Sequence, residues 1–287
     1  MHSTKNRSIY SWMKGGLIMT AEEEKVHFDT FGFIIRRGLF GPEEMQKFSH
    51  WFDEGCEAQC GPFAGERQIG YPGLSIHEGF CNHYLDDPRV LDTLENLMGE
   101  DFMLIASDAQ RHSGNSHWHQ DTVIPMEEGK SSEYLMLKVV MYLDDHSEGP
   151  GCLWMLPGSH KRGYAESIRA LMAMGNPTDG DTLTPAGVPP TAFPGAVPTK
   201  TCPGDIIFFN QKLAHSSWGG QPGRRFLGLT FGAKPTEDWQ VEWLVHHGER
   251  WKKMCRNERQ SQFPDHLVRA AGPRRMRLIE FMYSRGY

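Results

Sequence analysis

From Phe102 onward the chain breaks into short apolar runs separated by turn residues, and that texture narrows the fold more than any other feature. Phe102–Ala106, Leu135–Leu143, Cys152–Leu156, Asp205–Phe209 and Phe226–Phe231 are short and bounded by turn residues, so they read as strands. The residues before them follow a helical period. Thr20-Ala21-Glu22-Glu23-Glu24 has an N-cap followed by acids in the first turn. Pro42-Glu43-Glu44 opens a second helix with Met45, Phe48, Trp51 and Phe52 on one face, and Pro88–Met98 is a third that stops at Gly99. Gly32-Phe33-Ile34-Ile35 is an isolated strand among them. Helices first and clustered strands later predict a mainly β, α+β chain with an all-β core and helices flanking it at both ends.

The predicted organisation is a disordered leader at 1–19 and one domain at 20–287. Its strand-rich core runs from about 102 to about 235, and a helical tail fills 236–287. A Pro/Gly-rich stretch at 175–204 is expected as a long loop, either a lid or a tolerated insertion. The formal charge of −6 offers no basic footprint for nucleic acid. The longest apolar runs are interrupted by charge, so no membrane span is expected. The six cysteines form no CxxC pair and read as free thiols of a reducing compartment, which predicts a cytoplasmic protein.

The chemistry centres on Trp118-His119-Gln120-Asp121. With 14 histidines and 15 aspartates, chance alone supplies about 0.7 His-x-Asp triplets, so the motif needs company. On an extended strand, residues i and i+2 face one side, so His119 and Asp121 aim together. A third ligand must come from a distant strand. His215, after the turn and apolar strand Pro203-Gly204-Asp205-Ile206-Ile207-Phe208-Phe209, is the best candidate. Two imidazoles and a carboxylate are the set that holds an open-sided Fe(II). Arg224 follows shortly, and an arginine fork suits the far carboxylate of a keto-acid cosubstrate, with Ser217 as a hydroxyl helper. Neighbouring strand residues face opposite sides, so only one of Arg224 and Arg225 can point inward.

These segments, with Leu156-Pro157-Gly158-Ser159-His160-Lys161 between them and Phe31–Ile35 and Gly38-Leu39-Phe40 at the start, occur in the order seen in the phytanoyl-CoA dioxygenase family. The chain resembles that family from about residue 20 to about 235. The resemblance implies a double-stranded β-helix, or jelly roll, with the metal in its mouth. It implies His119, Asp121 and His215 as ligands and catalytic centre, Fe(II), 2-oxoglutarate and dioxygen as cofactors, and Arg224 in preference to Arg225 as the cosubstrate anchor. It also implies a dioxygenase of the hydroxylase type, acting on an unactivated C–H bond. Asp121 argues against halogenation, because halogenating relatives carry a small residue there.

Among the remaining polar residues, His117 shares the strand face of His119 and is either a pocket or a supporting residue. Lys138 is either a contact for an anionic substrate group or a snorkelling edge lysine, and Arg67 is another candidate anion contact. His160 reads as a structural cap and His246-His247 as surface. Trp118, Trp154 and Trp218 are either core or the wall of a site for a compact apolar molecule. The expected substrate is a small molecule of specialised metabolism. Two rival readings are a 2-oxoglutarate-independent jelly-roll metalloenzyme, which Arg224 and Ser217 oppose, and a silent metal-binding sensor, which an intact triad opposes.

Overall fold

The structure, a computed structural model, describes residues 19–116, 118–121, 134–173, 193–255 and 259–287. The expected leader, except for residue 19, lies outside them, as do His117 and most of the predicted loop, 175–192.

Helix α1 (Ala21–Phe31) begins with the capping predicted for it. The Thr20 hydroxyl accepts from Glu23 N–H and the Glu23 carboxylate accepts from Thr20 N–H. It ends on Gly32, whose φ of +89° is left-handed. A Cβ there would also strike His160, whose Nε2 lies 3.2 Å from the Asp29 carbonyl oxygen. His160 is therefore the structural contact expected of it. Strand β1 (Phe33–Arg36) follows, then α2 (Pro42–Cys60), the short β2 (Gln68–Gly70) and α3 (Pro88–Met98), capped by Asp87.

The remaining strands are β3 (Phe102–His112), β4 (Met136–Tyr142), β5 (Leu153–Met155), β6 (Val197–Thr199), β7 (Ile206–Asn210), β8 (His215–Ser217) and β9 (Arg224–Ala233). Helix α4 (Arg162–Ala173) interrupts them, and α5 (Asp238–Lys252), α6 (Asp265–Arg269) and α7 (Pro273–Tyr283) form the helical tail. Six strands make one sheet in the order β1-β7-β4-β9-β3-β2, and β6-β5-β8 makes a second; every pairing is antiparallel. This is the jelly-roll arrangement of two sheets with flanking helices.

Alternation along the large sheet gives it two unlike faces. Leu137, Val139 and Met141 of β4, Ile206 and Phe208 of β7, and Leu227, Leu229 and Phe231 of β9 join the main core with residues of the helices. Their neighbours Val140, Tyr142, Ile207 and Phe209 pack instead with Leu153 and Met155 of the small sheet. The second face thus looks into the space between the sheets.

Three departures from the sequence expectation have physical causes. Strand β3 runs on to His112, because its second half sends Asp108, Gln110 and His112 inward and so lacks the apolar pattern that marks a strand. The Pro-rich stretch contributes β6, where Pro198 is tolerated because β6 is an edge strand. His247, expected at the surface, packs between Trp243 and Trp251, and Trp251 Nε1–H donates to its Nε2 at 2.6 Å. All six cysteines are free thiols. Among the described residues, no helix is long and apolar enough to cross a membrane.

Burial, aided by Arg250 and His246, lowers the His247 pKa to about 4. The folded protein therefore resists protonating a group that titrates near 6.5 once unfolded. Its contribution is full above about pH 6.5 and is lost progressively as pH falls towards 4. Urea denaturation at pH 7 and pH 5 should show a drop in stability that His247→Gln, which keeps an acceptor for Trp251, makes smaller.

Candidate metal centre

His119 and His215 face each other across an isolated antiparallel bridge: His119 N–H donates to the His215 carbonyl at 3.0 Å, and His215 N–H to that of His119 at 2.9 Å. Their ring centroids are 4.2 Å apart. Along the first segment the side chains alternate. Trp118 is fully buried against Phe193, and Gln120 donates to the Lys212 carbonyl, while His119 and Asp121 turn to the opposite side. Asp121 Oδ1 lies 3.6 Å from His119 Nε2 and 3.5 Å from His215 Nε2. Among the described residues these three form the one cluster able to hold a metal ion. Sequence reasoning named all three.

The donor chemistry fits a divalent cation. Ligand atoms bound at about 2 Å around one ion stand roughly 3–4 Å apart, as these do. His215 Nδ1 lies 2.8 Å from the Leu213 carbonyl oxygen, which can only accept, so Nδ1 holds the proton and Nε2 presents its lone pair. Burial lowers the pKa of His215, keeping it neutral as a ligand must be. Burial alone would raise the Asp121 carboxyl; Lys138 and His215 more than reverse that and hold it well below the usual carboxylate range.

A cavity of about 530 Å³ contains the triad. Its wall carries Ser217 of β8 and His112 of β3, whose Nε2 and the Ser217 hydroxyl are 3.3 Å apart. Burial, with Arg224 and Arg67 nearby, pushes the His112 pKa down to about 3, so the ring is neutral. Arg224 pairs with His112 in the β3–β9 ladder and also lines the cavity. It is 4% exposed, and its guanidinium donates only to the carbonyls of Gln221 (3.1 Å) and Gly114 (2.8 Å). Among the described residues it has no carboxylate partner. Arg225 points the other way and is held by Asp144 at 2.7 Å and Asp53 at 2.6 Å. Strand alternation has thus separated the two arginines.

Space for Arg224 comes from two glycines that sequence reasoning did not single out. A Cβ on Gly151 would stand 2.6 Å from Arg224 Cδ, and one on Gly220 would stand 2.5 Å from the same atom. The doublets Gly149-Pro150-Gly151 and Gly219-Gly220 were the available signal.

Lys138, on the interior strand β4, is not a snorkelling edge residue. Its ammonium lies 3.4 Å from both Asp108 Oδ1 and Asp121 Oδ2, so carboxylates engage it where a substrate anion was the expectation. Arg67 does reach the cavity, donating to Gln110 Oε1 at 2.7 and 3.0 Å, and Gln110 donates in turn to Asp108 at 2.6 Å. Asp108, Gln110 and His112 escaped sequence reasoning because inward-facing polar residues on an unrecognised strand look like a loop. The tail adds Arg250, Trp251 and Met254 to the wall. Trp118, by contrast, belongs to the core.

A jelly roll with two histidines and an aspartate converging beside a buried, carboxylate-free arginine defines the class of non-haem metal oxygenase folds. The comparisons agree. The family model described as phytanoyl-CoA dioxygenase matches residues 28–221, and the chain belongs to that family. Arg224 falls just beyond the matched segment. No curated protein sequence matches the chain. Among solved structures it is similar to HygX from Streptomyces hygroscopicus with nickel and 2-oxoglutarate bound, at 18% identity and TM-score 0.58, over 75% of this chain and 88% of that one. It is also similar to EvdO2 from Micromonospora carbonacea var. aurantiaca complexed with 2-oxoglutarate (20% identity, TM-score 0.51, 74% and 91%). The epimerase SnoN in complex with Fe3+, alpha-ketoglutarate and nogalamycin RO is a third (14%, TM-score 0.51, 77% and 88%). At these identities the likeness establishes the fold.

Gly151 has φ of +81° as well as the close approach to Arg224, so Gly151→Ala combines backbone strain with overpacking. It should cost about 1–3 kcal/mol by urea denaturation. Gly163→Ala, in a helix with nothing within 4 Å of the new Cβ, should be neutral or slightly stabilising.

Proposed function

We propose that the protein is an Fe(II)- and 2-oxoglutarate-dependent dioxygenase that hydroxylates or otherwise oxidises a C–H bond of a small organic molecule of specialised metabolism. The observation that carries this reading is Arg224, a buried guanidinium without a carboxylate partner, lining the same cavity as the His119–Asp121–His215 cluster. A buried cation is costly unless an anion joins it. The far carboxylate of 2-oxoglutarate would be such an anion, and a metal site that works without a keto-acid needs no such arginine.

Bound together, Fe(II), 2-oxoglutarate and dioxygen supply the oxidising power needed against an unactivated C–H bond. This chain's own residues do the rest. His119, Asp121 and His215 would hold the metal. Arg224 would take the far carboxylate of 2-oxoglutarate, and Ser217 would offer its hydroxyl to the same group. His112, kept neutral, meets Ser217 without adding a competing positive charge. Leu153, Val140, Tyr142 and Phe226 give part of the cavity wall an apolar surface.

At the mouth, Arg67 and Arg250 contribute positive charge beside the apolar Trp251 and Met254. That pairing suits a compact substrate with one anionic group and an apolar body. The ligands bound to two neighbours, hygromycin B in HygX and nogalamycin RO in SnoN, support a small-molecule substrate.

With Fe(II), ascorbate and 2-oxoglutarate supplied, the protein should release succinate slowly, and faster with a substrate. Asp121→Ala should abolish the release while preserving the fold. Arg224→Gln should weaken 2-oxoglutarate about tenfold to a hundredfold, the worth of a lost charge-assisted hydrogen bond, and leave metal binding intact. Absence of both 2-oxoglutarate turnover and 2-oxoglutarate binding would overturn the reading. Product mass then separates the outcomes, since hydroxylation adds an oxygen and epimerisation, the reaction named for SnoN, leaves composition unchanged.

A further inference from the structure

Lys138 carries the one ammonium pressed against the candidate metal ligands among the described residues, and its surroundings are built to keep it there. Its Nζ sits 3.4 Å from Asp121 Oδ2 and 3.4 Å from Asp108 Oδ1. Asp108 is on β3 and Lys138 on β4, with β9 lying between them in the sheet. The residue of β9 under the crossing is Gly228, paired with Asp108 on one side and Val140 on the other. A Cβ there would stand 2.8 Å from Asp108 Oδ1 and 3.0 Å from Lys138 Cε. Gly228 thus leaves a gap through which the lysine reaches Asp108. Gln110 steadies the far oxygen of Asp108 at 2.6 Å, and Arg67 steadies Gln110.

An ammonium beside a metal ligand is at first sight unfavourable, because it repels the cation the site must hold. Asp108 resolves the conflict. Two carboxylates against one ammonium leave a net negative charge, so attraction for a dication survives. Meanwhile the ammonium stands at ion-pair distance from one oxygen of Asp121, Oδ2, which is buried and accepts no hydrogen bond among the described residues, while the other, Oδ1, faces the two histidines.

We propose that Lys138, balanced by Asp108, is a positioning residue that restricts Asp121 to a single metal-binding oxygen and so keeps a coordination position free for the cosubstrate. This rests on the metal-dependent reading above. The lysine touches neither substrate nor cosubstrate in this role; it acts through Asp121.

The test is Mn(II) binding to the metal-free protein, followed by electron paramagnetic resonance of the unbound ion, with 2-oxoglutarate binding to the Mn(II)-loaded protein measured by calorimetry. Lys138→Met removes the repelling charge and frees Oδ2. It should tighten Mn(II) by about tenfold, the scale of supporting-residue effects at metal sites, while weakening 2-oxoglutarate. Asp108→Asn leaves the ammonium unbalanced and should weaken Mn(II) by about as much. The double variant should return Mn(II) affinity towards that of the unaltered protein, because both charges are gone. A merely structural role predicts loss of Mn(II) affinity in both single variants and no recovery in the double variant, and that pattern overturns the proposal, as does unchanged Mn(II) affinity throughout. Failure of the unaltered protein to bind Mn(II) or 2-oxoglutarate at all overturns the metal-dependent reading itself, and this proposal with it.

Discussion

The bridge between His119 and His215 is the contact on which the rest of the site depends. Two reciprocal backbone hydrogen bonds join segments a third of the chain apart and set two imidazoles side by side. A backbone bridge positions side chains without relying on the side chains themselves. Asp121 then needs only the ordinary alternation of an extended chain to arrive between them. The Leu213 carbonyl orients the His215 ring, so even the tautomer is set by main chain.

The large sheet extends the same economy. Its helix-facing residues close the core, and its other face lends the cavity a cluster of polar groups: Asp108, Gln110 and His112 on β3, Lys138 on β4 and Arg224 on β9. Buried charge at this density is tolerable because most of it is neutralised locally, Lys138 by two aspartates and Arg225 by Asp53 and Asp144. Arg224 is the exception, and an exception of that cost marks a place for a ligand. Glycines enter the design where neighbouring strands must let a long cation pass: Gly151 and Gly220 beside Arg224, Gly228 beneath Lys138.

Much of this was legible in the residues. The three helices before the strands start and stop near their caps, and the predicted strands coincide with β1, β4, β5, β7 and β9 to within a few residues. The triad candidates were legible because a His-x-Asp triplet in a β-rich chain aims two ligands by period alone. The second half of β3 was not legible, because Asp108, Gln110 and His112 carry the inward-facing period in polar residues. Nor was the placement of Lys138: an isolated lysine in an apolar strand looks the same whether it snorkels or is held by two aspartates.

The sequence by itself determined the strand-rich texture of the core, the candidate ligands His119, Asp121 and His215, and the presence of an arginine pair, Arg224 and Arg225, shortly after them. Each follows from local period or residue chemistry, which neighbours along the chain suffice to express. Only the tertiary structure decided which arginine faces inward, what neutralises Lys138 and what walls the cavity. Those depend on strand register and on which residues of strands that are not neighbours in the sheet meet face to face, and the α5 residues Arg250 and Trp251 line the cavity because the tail packs back against it. Register is a property of pairs of segments, so no single segment encodes it.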